Sequence, residues 1–540
     1  MNFNSTNNRY NSIRNLIYSN NGAVATSTPI AAQVGLEILK KGGNAIDAAV
    51  ATAATLTVVE PTGCGIGGDA YAMVWIEKEK KLYGLNSSGF APENMKLEHY
   101  KNMKTMPKYG FKAVTVPGIV AAWSKLNRKY GNLTLLECMK PAINYAREGY
   151  PVSQSVSLLW QKSYEEYKEN LNGEEYKYWF ETFAPKGRGP YPGEIFRCED
   201  MAKTLEEIGK TNGESFYRGS LADKIDEFSR KYNGFIRKSD LEKFYPQWVE
   251  PISTNYRGYD IFEMPPNGHG ITVLMALNIL KKFELDSNKE NVENYHKIIE
   301  SLKLAFADSK TYVTDMDEMK VKIEDLLSET YADKRRELIT DKARIPTHGD
   351  PYSPGTVYLC TSDKEGNMVS YIQSNYTEFG SGLVVPNTGI ALHNRGNNFS
   401  LDKNHVNVLK PFKKPYHTII PGFICKNNES VGAFGVMGAF MQPQGHLQVI
   451  TNLIDFNLNP QESLDAPRWQ WIGENLIEVE EDMPLDIVKG LMEKGHKIKI
   501  VKDFTSMGKG QIILKKKLNE KERVYISATE KRCDGHIAIW

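Results

Sequence analysis

Apolar residues recur at helical spacing through Val34, Leu36 and Leu39, directly after Thr28-Pro29, and the pattern stops at Gly42-Gly43. Thr28 can cap such a helix, and Pro29 suits its first position, where a missing N–H costs nothing. Glycine just past the last turn ends it without strain. Asn44 then caps a second predicted helix, with Asp47 in its first turn. From Ala45 to Leu56 that helix is almost wholly apolar, which predicts burial on every side. After the glycine-rich run Pro61 to Asp69, the segments Tyr71–Ile76 and Leu82–Leu85 read as two strands around the charged turn Glu77–Lys81. From about residue 120 to 345 the pattern is mostly helical, with many Lys, Glu and Tyr residues. Thr340 to Pro354 is polar, carries three prolines and reads as irregular and exposed.

The pattern changes after Gly355. Val357–Ser362 and Met368–Tyr376 are rich in β-branched and aromatic residues, and Asp363-Lys364-Glu365-Gly366-Asn367 between them is a turn. This predicts a hairpin with Thr356 at the start of its first strand. The same alternation returns in later segments and ends with Val524–Ser527 and His536–Trp540. No internal repeat and no low-complexity linker is present. The predicted fold is α+β, with stacked sheets covered by helices.

Composition narrows the function classes. With 67 Lys and Arg against 66 Asp and Glu, the charge is near zero, so neither nucleic acid nor an anionic membrane is the expected partner. Residues 1–22 form an Asn-, Ser- and Tyr-rich tail without the apolar core of a secretory signal. No run approaches the roughly 18 apolar residues of a membrane span. The expectation is a soluble cytoplasmic protein. Its six scattered cysteines, with no CxxC pair, fit reduced thiols better than a disulfide framework or a zinc site.

Gly63-Cys64-Gly65-Ile66-Gly67-Gly68 matches GxGxxG, but a dinucleotide site needs strand, glycine turn, then helix. Here Pro61 precedes the glycines and a strand pattern follows, which favours a tight turn or the wall of a site. A second glycine-containing turn, Gly435 to His446, precedes an apolar helix pattern from Leu447 to Ile454. Backbone N–H groups at such a turn can hold an oxyanion, and an ordinary strand-to-helix turn is the plainer reading. The ten histidines show no metal spacing; His269 sits in a turn, His417 and His446 are isolated, and no metal is expected. No GxSxG elbow supports a serine triad. Thr356 stands apart through its surroundings. Gly355 supplies a flexible residue on its acyl side, an exposed segment precedes it and a sheet follows. Attack of its hydroxyl on the Gly355 carbonyl gives an ester, and hydrolysis frees an α-amine of pKa roughly 7.7–8.0. One residue then supplies nucleophile and base together.

With these stretches the chain resembles the γ-glutamyltransferase (glutathione hydrolase) family of N-terminal nucleophile hydrolases. The matching stretches are Gly42 to Ala49, Glu60 to Asp69, Val116-Pro117-Gly118, Pro265-Pro266 and the Thr356 hairpin. The resemblance implies a four-layer αββα core and no metal or organic cofactor. It implies a precursor cut between Gly355 and Thr356 into a large subunit (23–355) and a small one (356–540) that stay associated, with a homo-oligomer of the pair open. Thr356 falls at the family's nucleophile. Ser374 falls where a second threonine supports it, and Gly438 and Ala439 fall at the paired glycines of the oxyanion hole.

The departures concern the substrate. Transpeptidases of the family hold the γ-glutamyl α-carboxylate with an arginine in the segment equivalent to Asn86–Pro92, where this chain has none. The asparagine, glutamine and aspartate that grip the α-amino group become Tyr376, Arg395 and Asn398, and the paired serines become His417 and Thr418. Arg395 repels an ammonium, yet its planar fork suits a carboxylate. The local pattern is similar to a divergent branch that includes oxamate amidohydrolase-like proteins. The expected activity is amide cleavage with acyl transfer to water or an amine, on a γ-glutamyl compound or on a small anionic amide. The competing readings are an uncleaved binding protein and a dinucleotide-binding protein.

Overall fold

The structure, a computed structural model, describes residues 1, 3, 9–10, 14–346, 356–502, 504–519 and 522–540. Fourteen strands build its centre: β1 (Ile17–Ser19), β2 (Gly22–Thr26), β3 (Asp69–Ile76), β4 (Lys81–Ser87), β5 (Gln247–Val249), β6 (Ile252–Tyr256), β7 (Tyr259–Glu263), β8 (Val357–Asp363), β9 (Met368–Ser374), β10 (Gly422–Lys426), β11 (Glu429–Met437), β12 (Lys509–Lys517), β13 (Arg523–Thr529) and β14 (His536–Ile539). They form two seven-stranded sheets. The first has the order β14-β2-β8-β9-β3-β4-β5 and the second β1-β13-β12-β11-β10-β7-β6. Every neighbouring pair in both is antiparallel.

Strand parity sorts the side chains into layers. In the predicted hairpin Val357, Leu359, Val369 and Tyr371 pack beneath the helices on one side. Tyr358, Cys360, Met368 and Ile372 enter the core between the sheets, with Tyr71, Met73 and Trp75 of β3 and Phe423 and Ala433 of the second sheet. Trp75 and Phe423 stack across the gap with centroids 6.2 Å apart. Helices Pro29–Lys40 and Ala45–Val59 lie in the layer outside the first sheet. Helices Gly270–Leu280, Val292–Tyr312 and Met441–Ile454 contribute to the layer outside the second. The architecture is thus αββα.

The local signals carry through with adjustments. Asn44 caps the buried helix in a full capping box with Asp47, and that helix runs three residues past Leu56, to Val59. Thr28 stands at the cap position of the first helix, but its hydroxyl makes no capping bond. The second hairpin strand ends at Ser374 rather than Tyr376, because Tyr376 adopts a left-handed φ of 78°. Two expectations need correction. The tail 1–22 contains β1, which completes an edge of the second sheet against β13. The mostly helical region contains β5, β6 and β7, which supply one edge strand to the first sheet and two strands to the second. These strands are short and carry polar residues on their exposed face, so they lack a long apolar alternation.

Candidate active site

Thr356 directly precedes β8, and Ser374 is the last residue of β9, so the hairpin returns to its starting point. Parity places both on the face between the sheets. The two hydroxyl oxygens are 3.1 Å apart, and the backbone N–H of Tyr376 donates to Ser374 Oγ at 2.8 Å. Both residues are buried. The glycine-rich run forms the wall beside them. A Cβ on Gly63 would come within 3.2 Å of the Thr356 carbonyl oxygen, and one on Gly65 within 2.8 Å of the Asn375 side chain. These glycines are therefore needed for close approach rather than for a dinucleotide turn. Gly355, on the acyl side of the expected cut, lies outside the described residues.

Strand β11 crosses the hairpin from the second sheet. Ser370 Oγ donates to the Phe434 carbonyl at 3.4 Å, and the Tyr358 ring lies where a side chain on Gly435 would stand. Advancing along β11 therefore follows β8 back toward Thr356. Gly438 and Ala439 come at that end, just before helix Met441–Ile454. Their φ values are +135° and +48°, and among the described residues neither N–H donates to a backbone carbonyl. The alanine adopts the left-handed conformation that a glycine would adopt more cheaply. Phe440 follows and packs on His269 and Tyr416, while Gln442 Oε1 accepts the Ile420 N–H at 2.8 Å. The turn is thereby bound to the segment carrying His417 and Thr418.

Arg395 is fully buried. Its Nη1 donates to Thr418 Oγ1 at 2.8 Å, its Nε lies 3.5 Å from Asp69 Oδ2, and its Cζ sits 4.5 Å from the centre of the Tyr376 ring. Nη2 makes no hydrogen bond among the described residues. His417 donates from Nε2 to Asp69 Oδ2 at 2.9 Å, while its Nδ1 accepts the Ile419 N–H at 3.4 Å, which sets the tautomer. Burial, then the Arg395 charge, holds His417 down at about 3, so its imidazole is neutral at pH 7. Burial alone would raise the Asp69 carboxyl, but His393 and then His417 outweigh it and hold it far below its ordinary value. Asn398 is less central. Its amide nitrogen donates to the Tyr416 carbonyl at 3.1 Å. The structure thus gathers Thr356, Ser374, Tyr376, Arg395 and Thr418 into one contact chain, with His417 joined through Asp69, while the Gly438-Ala439 turn is tied through Phe440 and Gln442 to Tyr416 and Ile420 on either side of His417 and Thr418. Sequence reading missed two members, Asp69 and His393. Asp69 was visible only as the last residue of the glycine-rich run.

One group among the described residues has ligand-like geometry for a metal: His296, Glu300 and His496. His296 Nδ1 and His496 Nε2 are 2.9 Å apart. The buried Lys303 ammonium sits 2.5 Å from Glu300 Oε1, and the Arg344 N–H donates to Oε2, so that carboxylate is already paired. The group shares no residue with the Thr356 cluster.

Comparison with known proteins follows the same lines. The family described as Gamma-glutamyltranspeptidase matches residues 31–540. The glutathione hydrolase-like YwrD proenzyme of Bacillus subtilis is 36% identical over 482 residues, covering 88% of this chain and 90% of its own length. The oxamate amidohydrolase proenzyme of Klebsiella pneumoniae is 31% identical over 510 residues, covering 92% and 95%. Among solved structures, cephalosporin acylase from Bacillus halodurans superimposes with a TM-score of 0.95 at 52% identity, covering 100% of this chain and 99% of its own.

Proposed function

Because this chain belongs to the γ-glutamyltranspeptidase family of N-terminal nucleophile hydrolases, we propose that it is a self-processing amidase whose Thr356 attacks amides with a carboxylate, and no α-ammonium, on the acyl side. The observation that carries the catalytic half is the 3.1 Å contact between the Thr356 and Ser374 hydroxyls at the shared end of the hairpin. Ser374, itself held by the Tyr376 N–H, orients the nucleophile. After self-cleavage the α-amine of Thr356 takes the hydroxyl proton and later returns it to the leaving amine. The N–H groups of Gly438 and Ala439 receive the oxyanion. Water, or an amine acceptor, then releases the acyl group.

The substrate half rests on Arg395. A buried guanidinium with an uncommitted Nη2 is a ready donor to a carboxylate. The same charge opposes an ammonium. Asp69, the nearest anion, is already filled: Oδ2 faces His417, His393 and Arg395, and Oδ1 accepts the Gly89 N–H at 3.1 Å. Tyr376 offers a ring where a γ-glutamyl amine would need an acceptor. Within this proposal the two pieces stay together after the cut, because β2 and β3 of the first piece flank the β8–β9 hairpin of the second. The six free cysteines support a reducing, cytoplasmic setting.

The test compares three substrates on the processed protein: glutaryl-4-nitroanilide, γ-glutamyl-4-nitroanilide and oxamate, the last followed by ammonia release. Higher kcat/KM on glutaryl anilide or oxamate supports the proposal. Preference for the γ-glutamyl anilide overturns the substrate half and leaves the nucleophile assignment standing.

A further inference from the structure

We propose that Asp69 is a positioning residue for acyl-group specificity: it fixes Arg395 in the orientation that receives the substrate carboxylate, without touching substrate itself. This rests on the reading of Arg395 given above. Asp69 opens β3 and lies directly across the ladder from Ser374, the residue that contacts the nucleophile. Parity with Tyr71 and Met73 points it between the sheets. It is fully buried, and its four neighbours come from three segments: Gly89, His393 with Arg395, and His417. Oδ2 meets His417 Nε2 at 2.9 Å, His393 Nδ1 at 3.2 Å and Arg395 Nε at 3.5 Å, while Oδ1 accepts the Gly89 N–H at 3.1 Å.

Burying an arginine without a counter-charge is strongly unfavourable, so Arg395 needs Asp69 when no substrate is bound. The division of labour around the guanidinium follows. Asp69 faces Nε, Thr418 takes Nη1, the Tyr376 ring covers the plane, and Nη2 remains for an incoming anion. The two imidazoles are held in turn. His393 Nε2 lies 2.9 Å from the Thr115 carbonyl, and Ile419 fixes the other ring of the pair. Gly89 belongs to the Asn86–Pro92 segment. Asp69 therefore braces that wall and the arginine with one side chain.

The experiment is a double-mutant cycle on Asp69→Asn and Arg395→Met, read on the anionic amide cleaved best in the substrate comparison and on the uncharged butyryl-4-nitroanilide. Asparagine keeps the shape but removes the charge and turns an N–H₂ toward donors. The expected result for Asp69→Asn is two correctly processed pieces and KM for the anionic amide raised about tenfold or more, with a several-fold smaller loss on the butyryl anilide. If Asp69 acts only through Arg395, the double variant is no worse than Arg395→Met alone. Additive losses, or equal losses on the butyryl substrate, overturn the proposal in favour of a purely structural role. An Arg395→Met protein with unaltered KM overturns the Arg395 reading itself, and Asp69 falls with it. Asp69→Ser, which removes the charge without adding an amide N–H₂, covers a misfolded asparagine variant; failure of both to yield processed protein likewise overturns the positioning role.

Discussion

Replacing Gly438 by alanine perturbs the backbone proposed to receive the oxyanion. At φ +135° a Cβ is strained, and the added atom would stand 3.1 Å from Gly508 Cα and 3.3 Å from Met441 Cβ. Gly508 Cα is backbone and cannot rotate away. A residue held in such a region costs about 1–3 kcal/mol, so the turn relaxes and carries the two N–H groups off their aim. Loss of one oxyanion donor costs about 2.7–4 kcal/mol of transition-state stabilisation, or roughly 10²–10³ in kcat. The assay is kcat at saturating substrate on protein whose processing has been verified by intact mass, with thermal unfolding beside it. Ala439→Gly is the control. It keeps the N–H and relieves the left-handed φ of +48°, so kcat should stay within about threefold. A processed Gly438→Ala enzyme with wild-type kcat would refute the oxyanion assignment.

Ser374→Ala removes the hydroxyl 3.1 Å from Thr356; kcat should fall by about 10- to 150-fold, the equivalent of 1.5–3 kcal/mol, and Ser374→Thr should keep most of the rate. A Ser374→Ala enzyme with full kcat would exclude that role. Residues 339–346 carry a third testable contact. His296 donates to the Thr340 carbonyl at 2.7 Å, the Ala343 N–H donates to the Lys494 carbonyl, and Glu300 accepts the Arg344 N–H. Burial lowers His296 and holds His496 at about 3. For a histidine held below its unfolded value of about 6.5, the anchored state is fully favoured above that value and weakens as pH falls below it; His496 contributes a loss of about 1.4 kcal/mol per pH unit down toward 3, and His296 acts in the same direction. Glu300, Lys303, Glu293 and Lys494 surround the pair, and their charges act on it. Hydrogen exchange in residues 339–346, corrected for intrinsic rates, should therefore rise between pH 7 and 4.5; unchanged protection would contradict the clamp.

Local grammar explains what the sequence revealed. The Asn44–Asp47 capping box, the Asp363–Asn367 turn and the alternation on either side of it are short-range signals, and each reappears in the structure. Thr356 stood out because the sequence puts a glycine on its acyl side and a β-rich pattern directly after it. What escaped depends on long-range contact. Strands β5 and β7 gain their strand character from ladders with β4 and β10, more than 150 residues away in the chain, and β1 from pairing with β13 more than 500 residues later. Arg395 was found by position, but its partner Asp69 lies 326 residues earlier in the chain and looked like the end of a glycine turn. The tertiary fold makes that pair, and no spacing rule announces it.

In the proposed mechanism the chain cuts itself before Thr356 and uses the freed threonine as its nucleophile. Intact mass under denaturing conditions, for the wild type and for Thr356→Ala expressed side by side, tests it most directly. Self-cleavage by Thr356 gives two pieces for the wild type, one ending at Gly355 and one beginning at Thr356, and a single uncut chain of 61.0 kDa for the variant. An uncut wild-type chain, or equal cleavage in both proteins, would contradict it.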